Sequence, residues 1–169
     1  MSGVVELRAA RPGDGAALAV AWLDNAQYYV ERFPDDFRVP DEDGLEAWFE
    51  EGLAERLSAT ELHLVATVDG AVAAFVYARL TLPDHHASRQ MLADYPHPRV
   101  HVEALGTANA YQRQGLATLL VEAVEAWARD HDARAISAET YLDSPVSIPF
   151  WEERMGYRRR SVKLTKRLQ

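Results

Sequence analysis

The chain of 169 residues contains no cysteine. That excludes a disulfide scaffold, a thiolate zinc site and a cysteine nucleophile together. No stretch approaches the roughly eighteen consecutive apolar residues of a membrane-spanning helix, so no membrane partner is expected. No basic segment followed by an apolar run marks a secretory signal, and a cytoplasmic location is the expectation. Neither G-x-x-x-x-G-K-[ST] nor G-x-G-x-x-G occurs, which sets aside two familiar phosphate loops. Positive charge is in deficit: the net charge of −8 argues against nucleic acid as the main partner and mildly favours a cationic substrate, although surface acids also serve solubility. His85, His86, His97 and His101 could suggest a metal. The first three lie in a proline-rich loop without helical i, i+4 spacing, so none is expected. No internal repeat, low-complexity tract or linker is visible, and the length suits one domain over residues 1–169 with a real core.

What is present alternates strand and helix patterns. Val4 to Ala9 reads as an edge strand. Asp14 is placed to cap a helix that runs to about Val30. Asp41 or Asp43 can cap a second helix with Leu45, Trp48, Phe49, Leu53 and Leu57 on one face. Leu62 to Val68 and Ala71 to Leu82 are strands joined by Asp69-Gly70, a strong hairpin signal. Pro83 to Pro98 is a loop. Val100 to Thr107 is a strand, Gly115 to Asp130 a helix burying Leu116, Leu119, Leu120, Ala123, Val124 and Trp127, and Ala133 to Tyr141 a strand, giving a parallel βαβ unit. A short helix from Pro145 or Pro149 to about Arg154 and a last strand, Tyr157 to Leu168, complete the order β-α-α-β-β-β-α-β-α-β. The fold class is α/β, one mixed central sheet flanked by helices.

The most informative stretch is Gln112-Arg113-Gln114-Gly115-Leu116-Ala117, between the central strand and its helix. A strand, a turn, a glycine and a helix start aim free backbone N–H groups and the positive helix end at one point, a ready phosphate site. A glycine at a helix start is by itself more often only a turn residue. These six residues, however, match the [QR]-x-x-G-x-[GA] signature of the GNAT acetyltransferase superfamily. Leu105-Gly106-Thr107 fits the family's "L-x-V" strand end, and Phe150 to Tyr157 is similar to its closing "FYxxxGF" motif. The resemblance is dense over 99–168 and looser before.

The resemblance implies N-acetyl transfer from acetyl-CoA, a co-substrate, to a primary amine. The cofactor's pyrophosphate would rest on the amides of Gln112, Arg113, Gln114, Gly115, Leu116, Ala117 and Thr118. Its pantetheine arm would pair with Leu105, Gly106 and Thr107, where Gly106 admits close approach and an amide can hold the developing oxyanion. Ser144, where many members carry Asn, and Trp151 are further candidate contacts; Trp151 also reads as core. Ideal alternation puts His101, Glu103, Leu105 and Thr107 on one strand face, and Ser137, Glu139 and Tyr141 on one face of the next. A Glu inside an otherwise apolar strand is out of pattern. Glu103 and Glu139 match positions where family members place a base, with Glu103 ranked first. Each could instead face solvent or pair with an Arg. His101 could be a second base or a polar wall residue.

The closing motif departs from the family. Its Tyr, which protonates the departing thiolate, would fall at Glu152, and the aromatic residue Trp151 lies one earlier. Either this helix carries an extra residue or the acid is absent. With no cysteine, direct attack by the amine is expected. Asp35, Asp36, Asp41, Glu42, Asp43, Glu46, Glu50 and Glu51 cluster where members build the acceptor pocket, which suggests a small cationic amine; they also suit helix starts and a solvated face. Dimers are frequent in the family, so a homodimer is expected by analogy alone. The alternative is a non-catalytic acyl-CoA-binding or regulatory protein of the same fold.

Overall fold

The computed structural model describes residues 3–55 and 58–168. The chain divides at Ala138/Glu139 into two compact units. The first holds β1 (Val5–Ala9), α1 (Gly15–Arg32), α2 (Leu45–Glu55), β2 (Glu61–Val68), β3 (Ala71–Thr81), β4 (Arg99–Thr107), α3 (Leu116–Asp130) and β5 (Ala135–Ala138). The five strands form one sheet in the order β1-β2-β3-β4-β5. The first three pairings are antiparallel, and β4–β5 is parallel across the α3 crossover.

Local chemistry sets these elements. Asp69 and Gly70 both take positive φ, 50° and 83°, the type I′ geometry whose twist suits a two-residue hairpin. On one face of the sheet, Leu18 and Ala21 of α1 pack with Val65 and Phe75, with Trp22 and Phe49 against them. α3 packs against β2, β3 and β4. It buries Leu116, Leu120, Val121, Val124 and Ala128, a stripe of helical period.

Several expectations change. Leu119 is 38% exposed, and Val121 and Ala128 take the core positions instead. Asp14 occupies the N-cap of α1 but makes no capping bond. Its carboxylate takes both terminal nitrogens of Arg8, each at 2.7 Å, and the Arg11 N–H at 2.9 Å. The helix start is served by Glu50 of α2, whose carboxylate accepts from the N–H of Gly13 at 2.9 Å and of Gly15 at 2.6 Å. A side chain on Gly15 would lie 2.5 Å from that carboxylate. Leu57, placed on the apolar face of α2, lies outside the described residues.

The second unit contains α4 (Ser147–Pro149), which continues into a π-helical turn, Phe150–Arg154. The expected last strand is not formed: residues 157–168 carry no ladder among the described residues. The cause is in their composition. Arg158, Arg159 and Arg160 are consecutive like charges that break the alternation, and Val162, Leu164 and Leu168 are 65%, 90% and 86% exposed, so no apolar face is buried to offset the entropy of ordering.

Candidate active site

The turn after β4 is fixed at both sides. The Asn109 N–H donates to Asp24 of α1 at 2.7 Å, and residues 109–111 form one 3₁₀ turn. Arg113 and Gly115 then take φ of 60° and 82°. The first helical bond of α3 runs from the Leu119 N–H to the Gly115 carbonyl, 3.1 Å. The N–H groups of Leu116, Ala117 and Thr118 precede it and point out of the helix end. Gln112 differs from expectation: its N–H donates to the Asn109 carbonyl at 3.4 Å, and its side-chain amide to Asn109 Oδ1 at 2.8 Å. It therefore braces the turn. Residues 112–115 are exposed, and the Leu116 side chain is buried, so Leu116 can offer only its backbone. The space a Cβ on Gly115 would fill is open, with no atom within 4 Å. Backbone donors at a positive helix end suit a phosphate.

β4 presents the second part. Its ladder with β5 ends at Val102↔Ala138, whereas its ladder with β3 continues to Thr107↔Ala74. Glu103 to Thr107, with Leu105 and Gly106 among them, thus has an edge to which β5 adds no ladder. Gly106 is glycine for a protein reason as well. A Cβ there would lie 2.6 Å from both Asn25 Nδ2 and Phe75 Cε1.

Ideal alternation fails at Glu103. Tyr77 pairs with Ala104 and Ala78 with Val102, so Glu103 is the extra residue of a β-bulge. Bulges re-aim a side chain, and this one puts Glu103 and Ala104 on the wall of the same cavity. The cavity, about 250 Å³, lies between α1, α2 and the face of β2–β4. Trp22, Trp48, Phe49 and Phe75 form its aromatic walls, with His63 and Tyr77 beside Glu103.

Sequence reasoning missed the polar ladder beside Glu103. Arg79 reaches Glu103 at 3.8 Å and donates to the Tyr77 hydroxyl at 2.6 Å; that hydroxyl donates to Glu61 at 2.9 Å. The His63 ring stacks on Tyr77 at 4.2 Å. Burial raises the Tyr77 pKa, with Glu61 adding to it against the opposing hydrogen bond from Arg79. The signal was the run of polar residues in β2 and β3, unusable without the register.

The remaining candidates are placed as follows. His101 Nδ1 and Ser137 Oγ are hydrogen-bonded across β4–β5 at 2.9 Å. In the second unit, Glu139 follows the end of β5 instead of lying inside the strand. Its side chain is 60% exposed and accepts from Lys163 at 2.9 Å. Ser144 is buried and its hydroxyl accepts from the Ser147 N–H at 3.1 Å. Trp151 is buried and meets Tyr157 edge-on at 4.9 Å. The Met155 N–H reaches back to the Phe150 carbonyl at 3.0 Å, an i to i−5 bond. A π turn carries one residue more than an α-helical turn. His86 contacts Arg89, and among the described residues no group of three His, Asp or Glu could hold a metal. No described helix is long and apolar enough to cross a membrane.

Known structures share this architecture. A tetramutant of the BH1408 protein from Bacillus halodurans superposes with a TM-score of 0.74 at 19% identity, covering 96% of this chain and 99% of its own. The aminoglycoside N-acetyltransferase AAC(6')-Iy, in complex with CoA, gives 0.66 at 15% identity over 100% and 97%. The aminoglycoside 6'-N-acetyltransferase AAC(6')-Ig from Acinetobacter haemolyticus, without ligand, gives 0.61 at 17% over 97% and 99%. At these identities the likeness is one of fold. The model of the acetyltransferase (GNAT) family matches residues 19–157, most of the chain, and the chain belongs to the GNAT acetyltransferase family.

Proposed function

We propose that this protein is an acetyl-CoA-dependent N-acetyltransferase in which a primary amine attacks the thioester directly. The observation that carries the reading is the bulge at Glu103: one strand places Glu103 on a cavity wall and then leads, through a segment to which β5 adds no ladder, into the turn and helix start with their backbone donors. When bound, acetyl-CoA supplies the electrophilic carbonyl; the N–C bond forms, the C–S bond breaks, and its electron pair leaves on sulfur. The N–H groups of Leu116, Ala117 and Thr118 hold the pyrophosphate, with Gly115 keeping the approach clear. The open edge over Leu105 to Thr107 carries the pantetheine arm and offers an N–H to the oxyanion.

Glu103 takes the amine's surplus proton, directly or through water. An amine of pKa about 10.4 is mostly protonated at neutral pH, a cost on the order of 4 kcal/mol that a placed base offsets in part. Glu139 is the second candidate base. The Trp151 indole N–H is far too weak an acid to protonate the departing sulfur, which leaves as the thiolate, tolerable for a thiol of pKa near 8.5. Ser144 braces α4 near the closing motif, where the family's cofactor contact is carried.

The absent acid also favours a second reading, an acyl-CoA-binding protein without turnover. A thiol-release assay over a panel of amines separates the two. Amine-dependent release that falls in Glu103→Gln supports transfer. CoA binding with no release, unchanged by Glu103→Gln and Glu139→Gln, supports the binding protein.

A further inference from the structure

The cavity beside Glu103 is aromatic, and the acids of the α1–α2 region are elsewhere. Asp41, Glu42, Asp43 and Glu46 are exposed and do not line it. Glu50 is committed to the N–H groups of Gly13 and Gly15. Glu103 is the one carboxylate among the described lining residues. We propose that the acceptor is a primary amine joined by a short aliphatic link to a single aromatic ring, with the ring among Trp22, Trp48 and Phe49 and the amine at Glu103. This rests on the acetyl-transfer reading.

Three physical arguments point the same way. First, the walls already form a ring cluster: Trp22 lies 6.4 Å from Trp48 at 51° and 6.1 Å from Phe49 at 75°, centroid to centroid. A further ring joins such a set through offset and edge-to-face contacts, and an ammonium beside it gains cation–π attraction. Second, a polyamine would bring several ammonium groups to a lining with one carboxylate, Glu103, the neighbouring Glu61 being held by the Tyr77 hydroxyl, and a sugar amine would need partners for hydroxyls that the aromatic walls do not supply; unpartnered polar groups are costly to bury. Third, the cavity holds about 250 Å³, whereas an apolar cavity of about 150 Å³ accepts benzene. The surplus suits a two- or three-carbon aminoalkyl chain on the order of half a ring in size. In transfer the acetyl carbon passes from sulfur to the amine nitrogen; Glu103 takes the ammonium proton before attack and passes it to water, and the second proton, released as the amide forms, goes to the solvent.

The test uses the full chain with 2-phenylethylamine, spermidine and kanamycin, each measured by calorimetric binding and by thiol release from acetyl-CoA. The expected result is binding and turnover of 2-phenylethylamine, with kcat/KM at least about tenfold above the other two. Trp48, half exposed, can be changed without opening the core. Trp48→Ala should raise KM for 2-phenylethylamine about tenfold, and Trp48→Phe should restore most of it. Preference for spermidine or kanamycin, no binding of any of the three, or an unchanged KM in Trp48→Ala overturns the inference. Thiol release with spermidine but no binding of 2-phenylethylamine keeps the transferase and discards the aromatic acceptor. Binding of 2-phenylethylamine without thiol release upholds the cavity's ligand class and discards the transferase.

Discussion

Glu103 and Asp14 show how much a carboxylate's role depends on its partners. Among the described residues Glu103 has one ion-pair partner, Arg79 at 3.8 Å, and its side chain is 34% exposed, so it stands at the cavity wall yet accessible to substrate. Glu103→Gln should lower kcat about a hundredfold or more. In that variant kcat/KM should climb about tenfold per pH unit toward the amine's own pKa near 10.4, because only the free amine then reacts. A variant whose profile parallels the wild type would remove Glu103 as the base. Asp14, 6% exposed, is tied to Arg8 and is structural. Burial pushes its pKa up, but the Arg8 bonds and the Arg11 N–H outweigh that and hold it below the ordinary 3.8. A depressed carboxylate contributes stability that is present above its unfolded value and lost as pH falls through the folded one. Asp14→Asn should therefore cost about 2 kcal/mol near neutrality. The gap between wild type and variant in thermal melts should close below about pH 4. A gap that persists in acid would assign the loss to packing.

At the scale of elements, two glycines differ in kind, Gly106 within β4 and Gly115 at the start of α3. Gly115 has φ of 82° with open space at its Cβ position, so Gly115→Ala should cost about 1 kcal/mol from backbone conformation. It should also raise KM for acetyl-CoA by crowding the helix start. Gly106→Ala would instead drive a methyl to 2.6 Å from Phe75 and Asn25, an overpacking cost of about 1–3 kcal/mol. Melts and acetyl-CoA titrations of both variants check the contrast; equal KM effects would sink it. The turn at Gly115 and the helix start after it were legible because their geometry is local: the glycine and the helix pattern are one contiguous signal. The hairpin was legible in Asp69-Gly70 for the same reason. The polar ladder was not. A two-residue hairpin continued without interruption puts His63 opposite Val76, whereas a bulge between Ala66 and Thr67 shifts the pairing to His63↔Tyr77 and Glu61↔Arg79. One inserted residue turns every later side chain to the other face, and nothing in the local sequence marks it. The same physics hid the aim of Glu103. Glu50 as the brace of α1 was hidden because its partners stand 35 and 37 positions away.

At the largest scale, the proposed phosphate site and the core of the first unit share the same helix. Leu116 and Leu120, at the start of α3, are 1% and 0% exposed, so the helix end that offers its N–H groups is anchored by the same side chains that pack the sheet. A ligand held there binds the folded chain and not the unfolded one, because the three donors converge only once α3 has formed. Linkage then sets the size of the effect: acetyl-CoA at about 100 times its Kd adds about 2.7 kcal/mol. For a chain of this length each kcal/mol moves the melting temperature by about 2–4 °C, so the expected rise is about 5–10 °C. Pantetheine, which lacks the pyrophosphate but keeps the arm, separates the two parts of the site. It should give only a small shift if the α3 start holds the phosphates. Equal shifts for acetyl-CoA and pantetheine would move the binding free energy from the turn to the open edge of β4, and Gly115 would then have no role beyond its backbone conformation.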